Sequence, residues 1–388
     1  MSAVVAPEPP FTLGIEEEYF LVSRETRDLA AEVPPGMLET CNRLLQDRVT
    51  PEFLRAQVEV GTRICTSIAA ARADLAELRA TLAEVSGRYG YAPIAASTHP
   101  FARWHDQRPT DKERYALLAR DLQGVGRRLL ICGMHVHVGI PDDDLRIDLM
   151  GQVAYFLPHL LALTTSSPLW RGEDTGLKSY RISVFNELPR TGIPSAFASW
   201  GEYARHVNAL VGAGLIEDGS KLWWDLRPSV RFPTLELRIT DVCTRLDDAI
   251  AVAALFRCLL RMLWRLRRGN QRWRIYKRML IDENRWRAQR YGMEAGLVDF
   301  GKGRIVPYPE LLEEMIELTA EDAAHFGCAA ELAHLRTIRG RGTSATRQIA
   351  VLEAALAAGQ DRPAALRAVV DDLIAQTVAD LEAPGAAG

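Results

Sequence analysis

Alternating polar and apolar positions near the N-terminus predict a β-strand with an acidic face. In residues 14–19, Glu16 and Glu18 fall on one face and Glu17 on the other, because successive side chains of a strand point to opposite sides. Glutamate is disfavoured in strands, and repulsion between clustered carboxylates grows as water is excluded. Bound cations would remove that penalty. For this segment alone, the alternative is a solvated sheet face with surface ion pairs.

A second charged strand is predicted over residues 234–240. Its apolar positions share one side, and Glu236 and Arg238 lie next to each other on the opposite side. Residues 55–64 also alternate and place Glu59 on the polar side, with Glu52 upstream in the same extended stretch. Several acidic strand faces together favour a metal or phosphate site over a merely solvated surface.

Residues 132–140 form a fourth strand candidate, and it carries histidines instead of acids. His135 and His137 share a face with Gly133 and Gly139, and glycine in a strand often marks a close approach by another group. A lone histidine is usually a satisfied structural group, but His-x-His on a glycine-lined face is moderately specific for a metal site.

Helical periodicity separates and follows these strands. The predicted helices cover about 67–89, 143–163, 199–213, 246–268 and most of the chain after 309. Strands of a parallel sheet buried on both faces read as continuous apolar runs, whereas these alternate. We therefore expect an α+β fold, in which an antiparallel sheet has one polar concave face and helices packed on its outer face. We expect one catalytic domain over residues 1–388, with a sheet-bearing core at 11–300, a helical part at 301–382 and a disordered tail at 383–388.

Composition excludes several classes of function. The 388 residues are 48% hydrophobic and 25% charged, with a net charge of −3, so neither nucleic acid nor an anionic membrane is an expected partner. A basic stretch over 261–290 favours amphipathic helices with a solvated arginine face over RNA binding. The six cysteines show no metal-binding or disulfide spacing, and the N-terminus lacks the features of a signal peptide. We expect a cytoplasmic protein, and a homodimer is possible.

The polar segment 166–187 is long for a connector. Its Arg171, Lys178 and Arg181 are candidates for binding anionic groups, although long polar loops are often only surface loops. The segment does not have the spacing of a Walker motif, so any nucleotide would be held in another way.

Taken together, these side chains suit a reaction on a polyphosphate. Mg²⁺ prefers oxygen ligands and is usually shared between carboxylates and substrate phosphates, while arginine binds phosphate or carboxylate oxygens with two donors. The set comprises Glu16, Glu18, Glu52, Glu59 and Glu236, His135, and the bases Arg171, Arg181, Arg227 and Arg238.

The chain resembles the carboxylate-amine ligase family, the type 2 glutamate-cysteine ligases of the glutamine synthetase-like superfamily. The resemblance covers most of residues 11–300. It is carried by Gly14-Ile-Glu-Glu-Glu18, Gln57-Val-Glu-Val-Gly61, Gly133-Met-His-Val-His-Val-Gly139, Ser167-Pro-Leu-Trp-Arg-Gly172, Trp224-Asp-Leu-Arg-Pro228, Thr234-Leu-Glu-Leu-Arg-Ile-Thr-Asp241 and Glu283-Asn-Arg-Trp-Arg-Ala-Gln-Arg-Tyr-Gly292.

The resemblance implies a funnel-like sheet that binds ATP and two or three Mg²⁺ ions, with Mn²⁺ as a possible substitute. The implied activity is phosphoryl transfer from ATP to a carboxylate and attack of an amine on the acyl phosphate, with weak activity on glutamate and cysteine. The implied metal ligands are Glu16, Glu18, Glu52, Glu59, His135 and Glu236. Glu236 and Arg238 are also the catalytic candidates, and the candidates for binding nucleotide or substrate are Arg171, Lys178, Arg181 and Arg227.

Two interpretations from other classes remain open. A zinc amidohydrolase also uses His-x-His on a strand, but it would need further histidines at later strand ends. The histidines at 99, 159, 206 and 325 offer no convincing set. A non-catalytic nucleotide-binding protein would not need the full set of carboxylates.

Overall fold

The structure, a computed structural model, describes residues 7–111, 120 and 122–381. Its main sheet has seven strands, in the order β10-β11-β5-β1-β3-β2, with β4 paired to the second half of β1. All of these pairings are antiparallel. The strands are β1 Leu13–Ser23, β2 Val49–Pro51, β3 Gln57–Gly61, β4 Tyr91–Ile94, β5 Met134–Gly139, β10 Leu226–Pro228 and β11 Thr234–Leu237.

The remaining strands form three two-stranded sheets outside the main one. They are β6 Leu169–Trp170 with β7 Glu173–Asp174, β8 Thr191–Gly192 with β9 Trp223–Trp224, and β12 Leu297–Asp299 with β13 Arg304–Val306. The β6–β7 pair lies within the long polar segment and forms a hairpin there.

Helices occupy most of the rest of the described chain. They are α1 Pro35–Leu45, α2 Ile68–Gly87, α3 Asp143–Val153, α4 Leu157–Thr164, α5 Tyr180–Phe185, α6 Trp200–Gly212, α7 Leu246–Arg268, α8 Arg278–Tyr291, α9 Tyr308–Leu318, α10 Ala320–Phe326, α11 Ala329–Arg341, α12 Ser344–Ala357 and α13 Arg362–Thr377. The α+β class and the antiparallel sheet predicted from the sequence are confirmed. The predicted tail at 383–388 lies outside the described residues.

Helix α2 covers the apolar face of β1. Arg79 of this helix is completely buried and binds both carboxylate oxygens of Glu17, at 2.9 and 2.7 Å. Its guanidinium also donates to the carbonyls of Cys243 and Thr244, which lie just before α7. Tyr19 donates its hydroxyl to Glu17 as well. A buried carboxylate needs such partners, and here they tie β1 to the helices behind it.

The predicted helix at 143–163 is interrupted. A 3₁₀ turn at Ala154–Phe156 separates α3 from α4, and Pro158 stands in the first turn of α4. Proline has no N–H for the i−4 carbonyl and clashes with that turn. In the described residues, Asp143–Thr164 is the one stretch long and apolar enough to cross a membrane, and 83% of its most apolar window is buried inside the fold. Burial of this kind is typical of a core helix.

Candidate active site

Strand pairing places the polar positions of β1, β3, β5 and β11 side by side on one face of the sheet. Glu16 lies opposite His135, Glu18 opposite Glu59, and Glu236 opposite His137. Directly opposed side chains in antiparallel strands are about 5 Å apart at Cβ. The register therefore converts four separate polar stripes into one continuous cluster.

Three overlapping groups in this cluster have ligand atoms close enough together to share a cation, since within each group all the atoms lie within 4.8 Å of one another. The groups are Glu16, His137 and Glu236; Glu16, Glu59 and His135; and Glu18, Glu52 and Glu59. Every residue predicted as a metal ligand belongs to one of them. His137 was absent from that prediction, although the His-x-His pattern contained the signal for it.

Electrostatic repulsion in the cluster is greatest among the carboxylates of Glu18, Glu52 and Glu59. Burial, and next to it the Glu52 carboxylate, raise the pKa of Glu18 to about 7. Burial also raises the pKa of Glu59 well above its usual value, and the carboxylates of Glu52, Glu16 and Glu18 add to that effect. Like charges that share a buried site cannot all ionise without compensation. A bound dication would supply the missing positive charge.

Glu16 has a different environment, because two histidines face it. Nδ1 of His135 lies 3.4 Å from its carboxylate, and Nε2 of His137 lies 3.5 Å from it. Burial opposes ionisation of Glu16, but the close polar contacts with both histidines outweigh it and hold the pKa well below its usual range. Burial, with Arg238 nearby, lowers the pKa of His135 to about 4, so its ring is neutral and able to ligate a metal.

The free atoms of the histidines fit a metal site. Within the described residues, Nε2 of His135 and Nε2 of His137 are buried and have no hydrogen-bond partner. Buried polar atoms are normally paired, and coordination to a cation would satisfy both. Carboxylate oxygens with one or two imidazoles suit a hard divalent cation such as Mg²⁺ or Mn²⁺.

Glu236 is held between two arginines. Arg227 binds it through Nε at 2.9 Å and Nη2 at 3.2 Å, and Arg238 donates to the same carboxylate through Nη1. Burial would raise the pKa of Glu236, but Arg238 and then Arg227 hold it well below its usual range. Nη1 of Arg227 is engaged by the carbonyls of Ser220 and Leu222. By contrast, Nε of Arg238 is buried without a partner among the described residues.

Arg181 of α5 places its guanidinium beside Gly133, the residue before β5. A Cβ on Gly133 would lie 2.4 Å from the Nη2 of Arg181, so the room predicted beside this glycine is taken by a guanidinium. The two Nη atoms of Arg181 lie 3.2 and 3.4 Å from the carbonyls of Arg238 and Ile239. Its charge favours the ionised form of Glu18. Arg181 therefore lies next to the acidic cluster and also supports the end of β11.

The other two predicted basic residues lie elsewhere. Arg171 is exposed in the turn between β6 and β7, with a φ of 54°, and no contact among the described residues joins it to the cluster. Lys178 forms an ion pair with Glu294 at 2.6 Å, at a cavity beside the C-terminal helices. These placements depend on long-range packing, for which the local sequence carried no signal.

The described histidines outside the cluster do not extend it. Nε2 of His99 faces the carbonyl of Arg27, His206 contacts a carbonyl of its own helix, and His325 faces Glu8. The additional histidine ligands that a zinc amidohydrolase needs are therefore not found in the part of the chain that the structure describes.

Comparison with known proteins agrees with this geometry. The model of glutamate-cysteine ligase family 2 matches residues 12–372. A Rhodospirillum rubrum protein named "Putative glutamate–cysteine ligase 2" is 65% identical over 98% of this chain and 99% of its own length. A protein of the same name from Jannaschia sp. is 58% identical over 96% of this chain and 98% of its own.

Solved structures show the same fold at low sequence identity. A glutamate–cysteine ligase from Francisella tularensis in complex with AMP has a TM-score of 0.68 at 14% identity, and the match covers 97% of this chain and 91% of that one. A bifunctional glutathione synthetase from Pasteurella multocida has a TM-score of 0.67 at 16% identity, over 95% of this chain and 52% of that one. The chain therefore belongs to glutamate-cysteine ligase family 2 and is an ATP-dependent carbon–nitrogen ligase, as predicted from its sequence.

Proposed function

We propose that the protein uses ATP to join a carboxylate to an amine, with glutamate and cysteine as the first substrate pair to test. The observation that carries this proposal is the convergence of five carboxylates and two histidines with the arginines at 181 and 238 on one sheet face. Such a site can hold several anionic groups together, which is the difficulty that a reaction between ATP and a carboxylate must overcome.

Mg²⁺, or Mn²⁺ in its place, would be held by the three overlapping groups described above. When bound, these ions supply positive charge that screens the repulsion between the phosphates and the substrate carboxylate. This proposal extends the predicted ligand set by one residue, His137, because its unpartnered Nε2 lies in the same cluster.

Arg238 is the residue that we assign to the transferring phosphoryl group. Its side chain is 12% exposed, and its Nε has no partner among the described residues. A guanidinium with a buried donor that has no partner can bind a phosphate oxygen. This interaction stabilises the transferring group more strongly in a buried site than it would in water. Glu236 fixes the orientation of this guanidinium by accepting from Nη1.

Arg227 and Arg181 act mainly as positioning residues in this proposal. All three donor nitrogens of Arg227 are engaged with Glu236 or with backbone carbonyls, so it orients the carboxylate on which Arg238 depends. Arg181 supports the backbone of Arg238 and balances the charge of Glu18. We assign no role in phosphoryl transfer to Arg171 or Lys178.

The proposed reaction has two steps. An oxygen of the substrate carboxylate attacks the γ-phosphorus of ATP, the bond to the bridging oxygen breaks, and ADP leaves. The amine nitrogen then attacks the acyl carbon, the C–O bond to phosphate breaks, and the amine loses a proton. The products are an amide, ADP and phosphate.

Phosphate release tests the proposal directly. Full-length protein with ATP and Mg²⁺ is assayed against a panel of amino acids and amines, beside Glu236→Gln. Release that needs both an acid and an amine, and falls on the order of 100-fold in the variant, supports the ligase and starts to identify its substrates. Release with ATP alone, unchanged in Glu236→Gln, would contradict it.

A further inference from the structure

A cavity of about 310 Å³ lies where the loop before α5 meets the ends of α8 and α11 and the start of α12. The charged and threonine side chains that line it are Lys178, Glu294, Arg339, Arg341, Thr343 and Thr346. None of the residues of the carboxylate cluster belongs to this lining. The cavity is therefore a separate space.

Positive charge predominates in the lining, with three cationic side chains and one carboxylate. Arg341 is already paired with Asp248, outside the cavity. Arg339, however, is exposed and lies within ion-pair distance of no carboxylate in the described part of the chain. Lys178 is only 18% exposed and has Glu294 as its one carboxylate partner among the described residues. Lys178 and Arg339 thus line the same space, and Glu294 is the one carboxylate in that lining.

The carboxylate of Glu294 contacts the groups in the cavity that an external anion would contact. Its Oε1 lies 2.6 Å from Nζ of Lys178 and 3.4 Å from the hydroxyl of Thr346. The glutamate side chain is 58% exposed, so it can turn outward into water at little cost, because exposed ion pairs contribute little stability. The partners it would release are a lysine and a hydroxyl, which are common ligands of phosphate and carboxylate groups.

We propose that this cavity is a binding site for a compact anion, whose phosphate or carboxylate group replaces the Glu294 carboxylate between Lys178, Arg339 and Thr346. The volume is within the range of small-molecule sites and leaves room for a molecule larger than the charged group alone. The site is distinct from the ligase site and does not depend on the substrates proposed there.

Calorimetric titration of the full-length protein with inorganic phosphate tests the proposal, in a buffer with EDTA and no divalent cation. Under these conditions the carboxylate cluster repels anions, so binding reports on basic sites elsewhere. We expect saturable binding of one phosphate per chain. Arg339→Gln should weaken it on the order of tenfold, because a charge-assisted hydrogen bond is lost. Arg88→Gln is the matched control, since Arg88 lies at the end of α2, outside the cavity, and binds Glu84 there.

A second pair of variants tests the displacement of Glu294. Glu294→Gln removes the internal competitor and should tighten phosphate binding several-fold. Glu84→Gln makes the same change in net charge outside the cavity, at the ion pair with Arg88, and should leave binding unchanged. A parallel titration with succinate shows whether the site takes a carboxylate as well as a phosphate. The proposal is overturned if phosphate does not bind saturably, if Arg88→Gln weakens binding as much as Arg339→Gln, or if both glutamate variants tighten it equally.

Discussion

Arg285 and Asp225 form a two-point ion pair in the interior, with distances of 2.6 Å from Nε and 3.1 Å from Nη2. Their side chains are 8% and 1% exposed. The carbonyl of Asp225 accepts the N–H groups of both Arg238 and Ile239. A residue of α8 therefore fixes the backbone from which the proposed phosphate-binding arginine projects. This contact joins two of the motifs quoted from the sequence, 224–228 and 283–292.

Loss of this ion pair should impair catalysis through Arg238. In Arg285→Gln the buried Asp225 carboxylate loses its partner, so we expect the free energy of unfolding to fall by about 3 kcal/mol, kcat to fall and KM to change little. Steady-state kinetics and thermal melts measure both effects. The double change Arg261→Gln and Arg265→Gln is the control, because it removes the two guanidinium groups of α7 that bind buried Asp322 of α10. Equal losses of kcat in the two variants, at equal losses of stability, would contradict a positioning role.

Replacing one carboxylate of the cluster should have opposite effects without and with metal. Glu59 is surrounded by the carboxylates of Glu16, Glu18 and Glu52, which destabilise its ionised form. In EDTA, Glu59→Gln should therefore raise the melting temperature, because repulsion is relieved. The same variant should lose most of the gain in melting temperature that Mg²⁺ gives the wild type. Glu84→Gln, at an exposed ion pair with Arg88, should change neither value. A lower melting temperature of Glu59→Gln in EDTA would show that the carboxylates do not repel.

Arg238→Lys keeps the positive charge but removes the planar fork. We expect kcat for phosphate release to fall on the order of 100-fold, because a lysine cannot bind Glu236 and a phosphate oxygen in the same geometry. Binding of Mg²⁺, followed by calorimetry, should change little, since arginine is not a metal ligand and lysine keeps the positive charge beside Glu236. Arg231→Lys, an exposed substitution in the turn before β11, serves as control. A variant with wild-type kcat would remove Arg238 from the proposed mechanism.

Acid should destabilise the fold through His99. Its Nδ1 accepts the backbone N–H groups of Phe101 and Ala102, and its Nε2 donates to the carbonyl of Arg27, so the ring is held neutral. Burial lowers its pKa to about 4, although Asp28 opposes this. The unfolded chain then binds the extra proton between pH 6.5 and 4. This difference in proton binding contributes about 3 kcal/mol to the free energy of unfolding. The contribution is complete above pH 6.5 and is lost as the pH falls towards 4.

Melting temperatures between pH 7 and 4 check this expectation. His99→Gln should be less stable at pH 7 but should lose less stability on acidification than the wild type does. His206→Gln, at an exposed position, should follow the wild-type profile. Parallel profiles for His99→Gln and wild type would assign acid sensitivity to other groups.

The alternation in the sequence predicted which side chains share a face, because the pleat of a strand has a period of two residues. It therefore placed Glu16 with Glu18, and His135 with His137, correctly. It did not contain the register between strands, so the opposition of Glu18 to Glu59 emerges only from the folded sheet. The break between α3 and α4 had a local signal in Pro158 that the helical periodicity obscured.

Basic residues were harder to place than acidic ones. Arg227 of β10 lies opposite Glu236, and Arg238 directly follows β11, so their approach to Glu236 follows from strand pairing and chain continuity. Arg171 and Lys178 come from a loop that is held by distant parts of the chain, since Arg362 of α13 donates to the carbonyl of Gly172 and Lys178 pairs with Glu294 after α8. Long side chains on loops reach in many directions, and only tertiary packing selects one.

The pairing of Glu17 with Arg79 favours one register of the Glu-Glu-Glu run of β1 relative to the neighbouring strands. A slip of β1 by one residue would turn Glu17 into the cluster and place both Glu16 and Glu18 on the apolar face. The observed alignment places a single carboxylate inward, beside the guanidinium of Arg79, and leaves the other two near the histidines. Misaligned chains would be left with an unsatisfied charge in the core, so the chain cannot fold stably while assembling the wrong site.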